Sequence, residues 1–409
     1  MKAGVIAAAL AAMAAHCCAA TSLSLQPTLN HPGGWHCAAD VARVRSKVST
    51  AAQPWTTAYH VLMNDTSLTV DYRPSPVGVV HRDCCDPHPN NTGNLQYERD
   101  SIAAYYSMVR WLGTADPDDA KPHALLAMRI IDAWAMTITG FAGHNQMLAA
   151  GIYGSHMAQA AELLAYAVPE WPGRPAAEAM FRDVIYPVCS QFCGRTNLGP
   201  PLPPQQSCDH GANGNWDTAC MSMVASVAVF LDNATMLQSV VDYYNGGRGN
   251  GRLTNYIIDP AGQCQESGRD QAHTQDGLEH LLETALTIHH ATNSTDPFTR
   301  SNYRLLAGLE YTAAYNLNRS VPFTPNCGAY PTSGWCFKTI SNQSRGVFSD
   351  MWEMAAAVYG EAATFSRAVV GRPGYRPEGA HAPIINDGPH VGDGPPGQGT
   401  LTFYGMDAV

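Results

Sequence analysis

The 409-residue chain carries 34 acidic against 24 basic side chains, a formal net charge of −10, and has no long Lys/Arg block. The electrostatic footprint of a nucleic-acid or anionic-membrane binder is therefore missing, and a polyanionic ligand would have to be held by a local cluster of arginines. Beyond the opening segment no stretch approaches about 18 uninterrupted apolar residues, so no membrane-spanning helix is expected and the mature protein should be soluble.

The chain opens on a short basic start, Met1-Lys2-Ala3-Gly4-Val5-Ile6, and an alanine-rich apolar stretch that ends at small residues near Cys18-Ala19-Ala20. Residues 1–20 read as a cleavable export signal, too short and too interrupted by His16 to span a membrane. Export implies a secreted, extracellular protein, or a periplasmic one in a Gram-negative host. Of the 12 cysteines, Cys17 and Cys18 leave with the signal; Cys37, Cys84, Cys85, Cys189, Cys193, Cys208, Cys220, Cys264, Cys327 and Cys336 remain. An even number in an exported chain predicts disulfides. Cys327 with Cys336 and Cys208 with Cys220 are plausible local pairs, although spacing leaves the connectivity open. A zinc–thiolate site is the competing reading, and no CxxC pair supports it. Asn-x-Ser/Thr sequons begin at Asn64, Asn90, Asn233, Asn293, Asn318 and Asn342, which are glycan acceptors in a eukaryotic secretory route.

His31-Pro32-Gly33-Gly34-Trp35-His36 leads into a helical pattern from Asp40 to Val48. In Ser101 to Leu112 the apolar residues Ile102, Tyr105, Tyr106, Val109 and Leu112 fall on one helical face. Leu125, Met128, Ile131, Ala135 and Ile138 repeat that spacing, with Gly140 as a C-terminal stop. The pattern continues over His156 to Val168, Ala176 to Val188, Trp216 to Leu231, Met236 to Tyr244, Gly277 to His290, Tyr303 to Leu317 and Phe348 to Phe365. The best strand signal is Leu253 to Ile258, closed by the turn Asp259-Pro260-Ala261-Gly262. Successive helices with short polar joints and no βαβ alternation predict an all-α domain over residues 21–370, with helical hairpins arranged as an (α/α) toroid or incomplete barrel. Two irregular stretches interrupt it, Val80 to Leu95 and Gly194 to Gly214. Residues 371–409 form a Gly/Pro-rich tail expected to pack on the domain or trail from it.

Two polar, glycine-punctuated segments stand out. One is Gly211-Ala212-Asn213-Gly214-Asn215-Trp216-Asp217; the other runs from Gln263 to Gly277 and contains Glu266-Ser267-Gly268-Arg269-Asp270-Gln271-Ala272-His273-Thr274-Gln275. They resemble the alginate-lyase-domain family of polysaccharide lyases. His31-Pro32-Gly33, Ala160-Ala161-Glu162-Leu163 with Trp171, Glu310-Tyr311, Tyr315-Asn316-Leu317, Val321-Pro322-Phe323, and Ser344-Arg345-Gly346 before Trp352-Glu353 match in the same order. The likeness spans roughly residues 31–353, and the Glu266 to Gln275 run is its specific element. It implies an (α/α) toroid and β-elimination on an anionic polysaccharide, a uronate polymer of the alginate or glucuronan type.

Such chemistry explains the residue types. The proton to be removed lies next to a carboxylate and is scarcely acidic until that charge is neutralised, so donors aimed at the developing enolate-like charge stabilise the transition state. Asn215 is the expected carboxylate-side donor, with Asn213 as its alternative; an N-cap before Trp216 is the structural reading. His273 is the expected base or neutralising group. Arg269, four residues earlier, would clamp a carboxylate or merely pair with Glu266 or Asp270. Tyr311 matches the family's Glu-Tyr and is the candidate proton donor, with Tyr315 and Tyr330 as alternatives, although an aromatic in an amphipathic helix is more often core. Arg345 would complete a basic cleft or form a surface salt bridge. The Cys327 to Cys336 insert and the His81 to Asn94 loop lie outside the family's pattern, and another lyase subfamily's Asn-His pair is not reproduced because Trp216 follows Asn215. Substrate choice is therefore not inherited.

The competing functions are a toroidal glycoside hydrolase using two of Glu266, Asp270 and Asp276, and a non-catalytic carbohydrate-binding protein of the same fold. No phosphate-cradling loop, dinucleotide fingerprint, HExxH or acidic calcium loop is present, so neither cofactor nor metal is expected.

Overall fold

Two kinds of helix alternate along the chain, one buried nearly all round and one buried along a single stripe. In the computed structural model, residues 28–83, 90–190, 214–247, 249–326, 336–373, 375 and 398–409 are described, with the backbone of the helical residues 191–193. The helices are α1 (Ala38–Ser49), α2 (Trp55–Met63), α3 (Asn94–Gly113), α4 (Pro117–Ala135), α5 (Gly154–Ala167), α6 (Arg174–Met180), α7 (Tyr186–Cys193), α8 (Gly214–Phe230), α9 (Ala234–Gly246), α10 (Leu253–Tyr256), α11 (Gln271–Thr292), α12 (Asp296–Asn316), α13 (Met351–Tyr359), α14 (Thr364–Val370) and α15 (Gly399–Thr402). A π-turn, Phe181–Ile185, joins α6 to α7, and another, Ala149–Tyr153, leads into α5.

Helices α3, α5, α8 and α11 are the inner set, with almost every side chain buried. They pack side by side in chain order, and each is followed by an outer helix or helix pair, namely α4, α6–α7, α9 and α12. The outer helices show the amphipathic spacing; α4, for example, buries Ala120, Ala124, Ala127, Ile131 and Trp134 and exposes Leu125. The hairpin α1–α2 joins the ring against α3, the pair α13–α14 joins it against α11 and α12, and α15 bridges α13 to α1 and α2. The result is an all-α (α/α) toroid of helical hairpins.

Caps set several boundaries. Asp116 accepts the Asp118 and Asp119 N–H groups at 2.9 and 3.2 Å with Pro117 at the first helical position, which fixes the start of α4. Asn293, at φ 59°, ends α11. The expected 348–365 helix is split because Gly360, at φ 51°, closes α13 before α14 begins. In α12, Arg300 to Tyr303 leave helical φ/ψ, so its regular part starts near the expected Tyr303.

Three expectations are corrected. Leu253 to Ile258 is no strand: Leu253–Tyr256 forms the turn α10, and Ile257 merely bridges to Cys264. The buried residues there are Leu253, Tyr256 and Ile257, a helical i, i+3, i+4 set rather than an alternating one. The strands that do form are β1 (Val79–His81) and β2 (Gly140–Ala142), a parallel pair with Val80 opposite Phe141. Cys220 pairs with Cys189, not Cys208, because both are wholly buried where α7 meets α8, with Cα atoms 4.9 Å apart. Cys37 and Cys264 are free thiols, so the remaining ten cysteines are not all paired. Cys336 is disulfide-bonded, while Cys84, Cys85, Cys208 and Cys327 lie outside the described residues.

Replacing Cys189 and Cys220 together by serine is expected to cost roughly 2–5 kcal/mol, since the bridge closes a 31-residue separation in the unfolded chain. Thermal unfolding of the double variant checks this.

The export signal at 1–20 lies outside the described residues. Among them no helix is long and apolar enough to cross a membrane. Asn64, Asn90, Asn293, Asn318 and Asn342 are exposed, and Asn233 is half-buried, capping α9 through its Oδ1. Past residue 397 the tail packs back: Leu401 is buried and Trp55 Nε1 donates to the Tyr404 carbonyl at 3.2 Å.

Candidate active site

Because the inner helices run parallel, their N-terminal ends open on one mouth of the toroid. The segment from Gln263 to Asp270 crosses this mouth between α8 and α11. It is pinned by Gln265 Nε2 donating to the Asn250 carbonyl (2.8 Å) and by the Cys264 N–H donating to Ser267 Oγ (3.0 Å).

Glu266 is the hub. Its buried carboxylate accepts the Asn215 backbone N–H at 3.2 Å, the Tyr256 hydroxyl at 3.2 Å and Arg269 Nη1 at 2.9 Å. The Tyr256 proton can serve only one of its three acceptors, the others being the His273 and Thr274 carbonyls, each at 3.1 Å. Gly277 is required beside it, since a Cβ there would overlap the Tyr256 hydroxyl. Burial pushes the Tyr256 pKa well up, as does Glu266, so the phenol stays protonated. Burial also raises the Glu266 pKa, partly offset by Arg269, His273 and the Asn215 N–H.

Asp270 caps α11: its Oδ1 accepts the His273 N–H at 2.8 Å while Oδ2 accepts from His273 Nδ1 at 2.7 Å. Burial raises the Asp270 pKa, but the hydrogen bonds from His273 and the charges of His273 and Arg269 outweigh it and hold the group low. Arg269 Nη2 lies 3.0 Å from His273 Nε2. That nitrogen therefore accepts and Nδ1 carries the proton, the neutral tautomer with its lone pair turned to the mouth. Burial lowers the His273 pKa and Arg269 opposes protonation, yet Asp270 prevails and the net shift is upward. The ring is 38% exposed and Arg269 21%, enough for a ligand to reach both.

The structure thus brings Asn215, Arg269 and His273 into one chain of contacts through Glu266. The Asn215 carboxamide oxygen is buried with no partner among the described residues. Arg269 does pair with Glu266, and its Nε approaches Asp270 at 3.6 Å. Tyr311 and Arg345 lie outside this chain of contacts. The Tyr311 hydroxyl donates to the Pro322 carbonyl at 2.6 Å, its ring is buried behind Gly262, and burial raises its pKa far above the ordinary phenol. Arg345 donates to the Tyr315 and Arg319 carbonyls at 2.8 and 3.2 Å and stacks on the Tyr315 ring at 3.9 Å, capping the C-terminal end of α12. Family-motif matching cannot separate these packing roles from a proton relay. Asn213 and Tyr330 lie outside the described residues.

Sequence reasoning missed Tyr256, hidden in the supposed strand, and the orienting role of Asp270, for which its position three residues before His273 was a capping signal. It also passed over His144 and Arg82. Exposed His144, just after β2, meets Trp216 edge-on with ring centroids 6.4 Å apart. Arg82, after β1, lies over the Tyr153 ring at 5.6 Å, and Tyr153 donates to Glu98 at 3.0 Å. Of the carboxylates that a two-carboxylate hydrolase would draw on, Glu266 is paired with Arg269, and Asp270 is bound to His273 with Arg269 Nε at 3.6 Å. A separate groove beside Arg45, Trp111 and Lys121 lies at the opposite end of α3.

An alginate lyase A1-III from Sphingomonas species A1 aligns with a TM-score of 0.56 at 12% identity, covering 92% of this chain and 97% of that one. The chain shares the fold of that enzyme. An alginate lyase from Bacteroides ovatus aligns with a TM-score of 0.47 at 11% identity over 76% of this chain and 97% of that one. No protein-family model matches the chain, and no curated protein sequence is significantly similar to it.

Proposed function

We propose that this protein is a secreted polysaccharide lyase that cleaves a uronate polymer of the alginate or glucuronan type by β-elimination at the mouth around His273. The observation that carries this reading is the Asp270–His273–Arg269 chain: a partly exposed histidine held in one tautomer, its Nδ1 bound to Asp270 and its Nε2 accepting from a guanidinium. Two features support an anionic substrate. The parallel inner helices turn their positive N-terminal ends toward the mouth, and Arg269 and Arg82 add local positive charge in a chain whose net charge is −10. The fold shared with an alginate lyase supports the same class.

In the proposed cycle the uronate carboxylate displaces His273 from Arg269 and binds the guanidinium, with the Asn215 side-chain amide as second donor. Charge drawn off the carboxylate acidifies the neighbouring C–H. The Nε2 lone pair, released by Arg269, takes that proton, the electron pair forms the C4–C5 double bond, and the C4–O bond breaks. The imidazolium then returns the proton to the departing oxygen, so one residue serves as base and acid. Asp270 stabilises the imidazolium. Tyr311 takes no part in this scheme.

Incubation with polymannuronate, polyguluronate and glucuronan, followed by absorbance of the unsaturated product, tests the function. Ultraviolet-absorbing product from any one of them is expected; new reducing ends without absorbance would instead mean hydrolysis. A base must be neutral to act, and the His273 pKa lies above the ordinary 6.5. The acidic limb of the kcat/KM profile is therefore expected above pH 6.5, with activity falling as the pH drops through it. Residues 1–20 serve as the export signal in this reading, the buried Cys189–Cys220 bridge fits an oxidising compartment, and the exposed sequons are open to glycosylation.

A further inference from the structure

Farther along α11 from His273, in the interior of the toroid, lies a second polar cluster that the elimination chemistry does not use. Glu279, His280 and Glu283 each present a ligand atom, and these three atoms lie within 4.8 Å of one another. All three residues are buried, Glu279 completely. Glu283 Oε2 accepts Ser222 Oγ from α8 at 2.8 Å and lies 3.0 Å from His280 Nδ1.

Glu279 is the anomaly. Both of its oxygens are buried without a hydrogen-bond partner among the described residues. The charged groups that act on it are Glu283, Asp276 and Asp350, all acidic. A bare carboxylate in such surroundings is strongly disfavoured, and a buried charge persists only when paired or bound to a metal. Protonation alone is a poor remedy, because a neutral acid needs an acceptor for its O–H and a donor for its carbonyl oxygen. A divalent cation would satisfy the carboxylate oxygens and offset the neighbouring acidic charge together.

We propose that Glu279, His280 and Glu283 bind one divalent transition-metal ion of the zinc or manganese class. Two carboxylates and imidazole nitrogen suit these ions, whereas calcium prefers an all-oxygen shell. The ion would sit on α11, with its Glu283 ligand also held by Ser222 of α8. This inference is independent of the lyase reading, since its tests do not use turnover.

The full-length protein, stripped with EDTA and dialysed against Zn2+ or Mn2+, is expected to retain about one ion per chain by elemental analysis. Its Tm should rise by roughly 3–5 °C at a hundredfold excess over Kd. Glu279→Gln keeps the shape and removes the charge; it should fold and lose both the bound ion and the thermal shift. If Glu279→Gln does not fold by circular dichroism, His280→Gln and the visible absorption of the Co2+-loaded wild type serve instead. A low-symmetry Co2+ spectrum lost in His280→Gln is the expected result. No retained ion and no thermal shift with either metal would overturn the proposal, as would binding undiminished in the folded variants.

Discussion

His273→Ala is expected to lower kcat on the preferred uronate polymer by about a hundredfold or more, with KM nearly unchanged. The magnitude follows from the proposed double duty of the imidazole, which removes the C–H proton and returns it to the leaving oxygen. Ground-state binding falls instead to Arg269 and Asn215, so little affinity is lost. The fold should tolerate the change, because the ring is 38% exposed and the cap of α11 is made by the Asp270 carboxylate and the His273 backbone. Circular dichroism on the variant must match the wild type for the kinetics to count. A folded His273→Ala enzyme with wild-type turnover on every uronate polymer would remove His273 from the mechanism.

Arg269→Ala is expected to act on both parameters, raising KM and lowering kcat by roughly 10²–10³, the range for loss of one preorganised charge-stabilising donor. A carboxylate clamp works before and during proton removal, unlike a base. Arg269→Lys should recover only part of the loss, because an ammonium restores the charge without the fork that spans Glu266 and the substrate. The substitution also strips Glu266 of its cation, and this buried carboxylate already has a raised pKa. Arg269→Ala combined with Glu266→Gln separates the two effects: recovered stability without recovered turnover assigns the kinetic loss to the clamp. If the double variant regained wild-type kcat/KM, Arg269 would be a counter-ion for Glu266 and nothing more.

Much of the fold is legible in the residues alone. Helical periodicity reports which face of a segment is buried, and this identified α5, α8 and α9 almost end to end, while α3, α11 and α12 begin at Asn94, Gln271 and Asp296, well ahead of the periodic runs that start at Ser101, Gly277 and Tyr303. Arg269 and His273 lie in the run that carries the family likeness and do meet, but Arg269 reaches the ring from the turn ahead of the Asp270 cap and not from a shared helical face. Pattern reading failed where burial did not follow a long repeat. Helix α2 is short, with Trp55, Ala58 and Leu62 as its buried set, and the apolar cluster at Leu253 to Ile258 looked extended because four residues do not display a period.

What only the tertiary structure decided is which buried group meets which. Tyr311 and Tyr256 are both buried, yet one hydroxyl is spent on the Pro322 carbonyl and the other closes the Glu266 hub. Cysteine spacing cannot show that Cys189 and Cys220 face each other across α7 and α8. Asn215 and Glu266 are 51 residues apart and meet through a backbone N–H, a donor that every non-proline residue carries and no sequence motif can single out. Sequence determines the faces of the helices through side-chain chemistry repeated every turn; the partners across those faces are set by three-dimensional packing, which joins residues far apart in the chain.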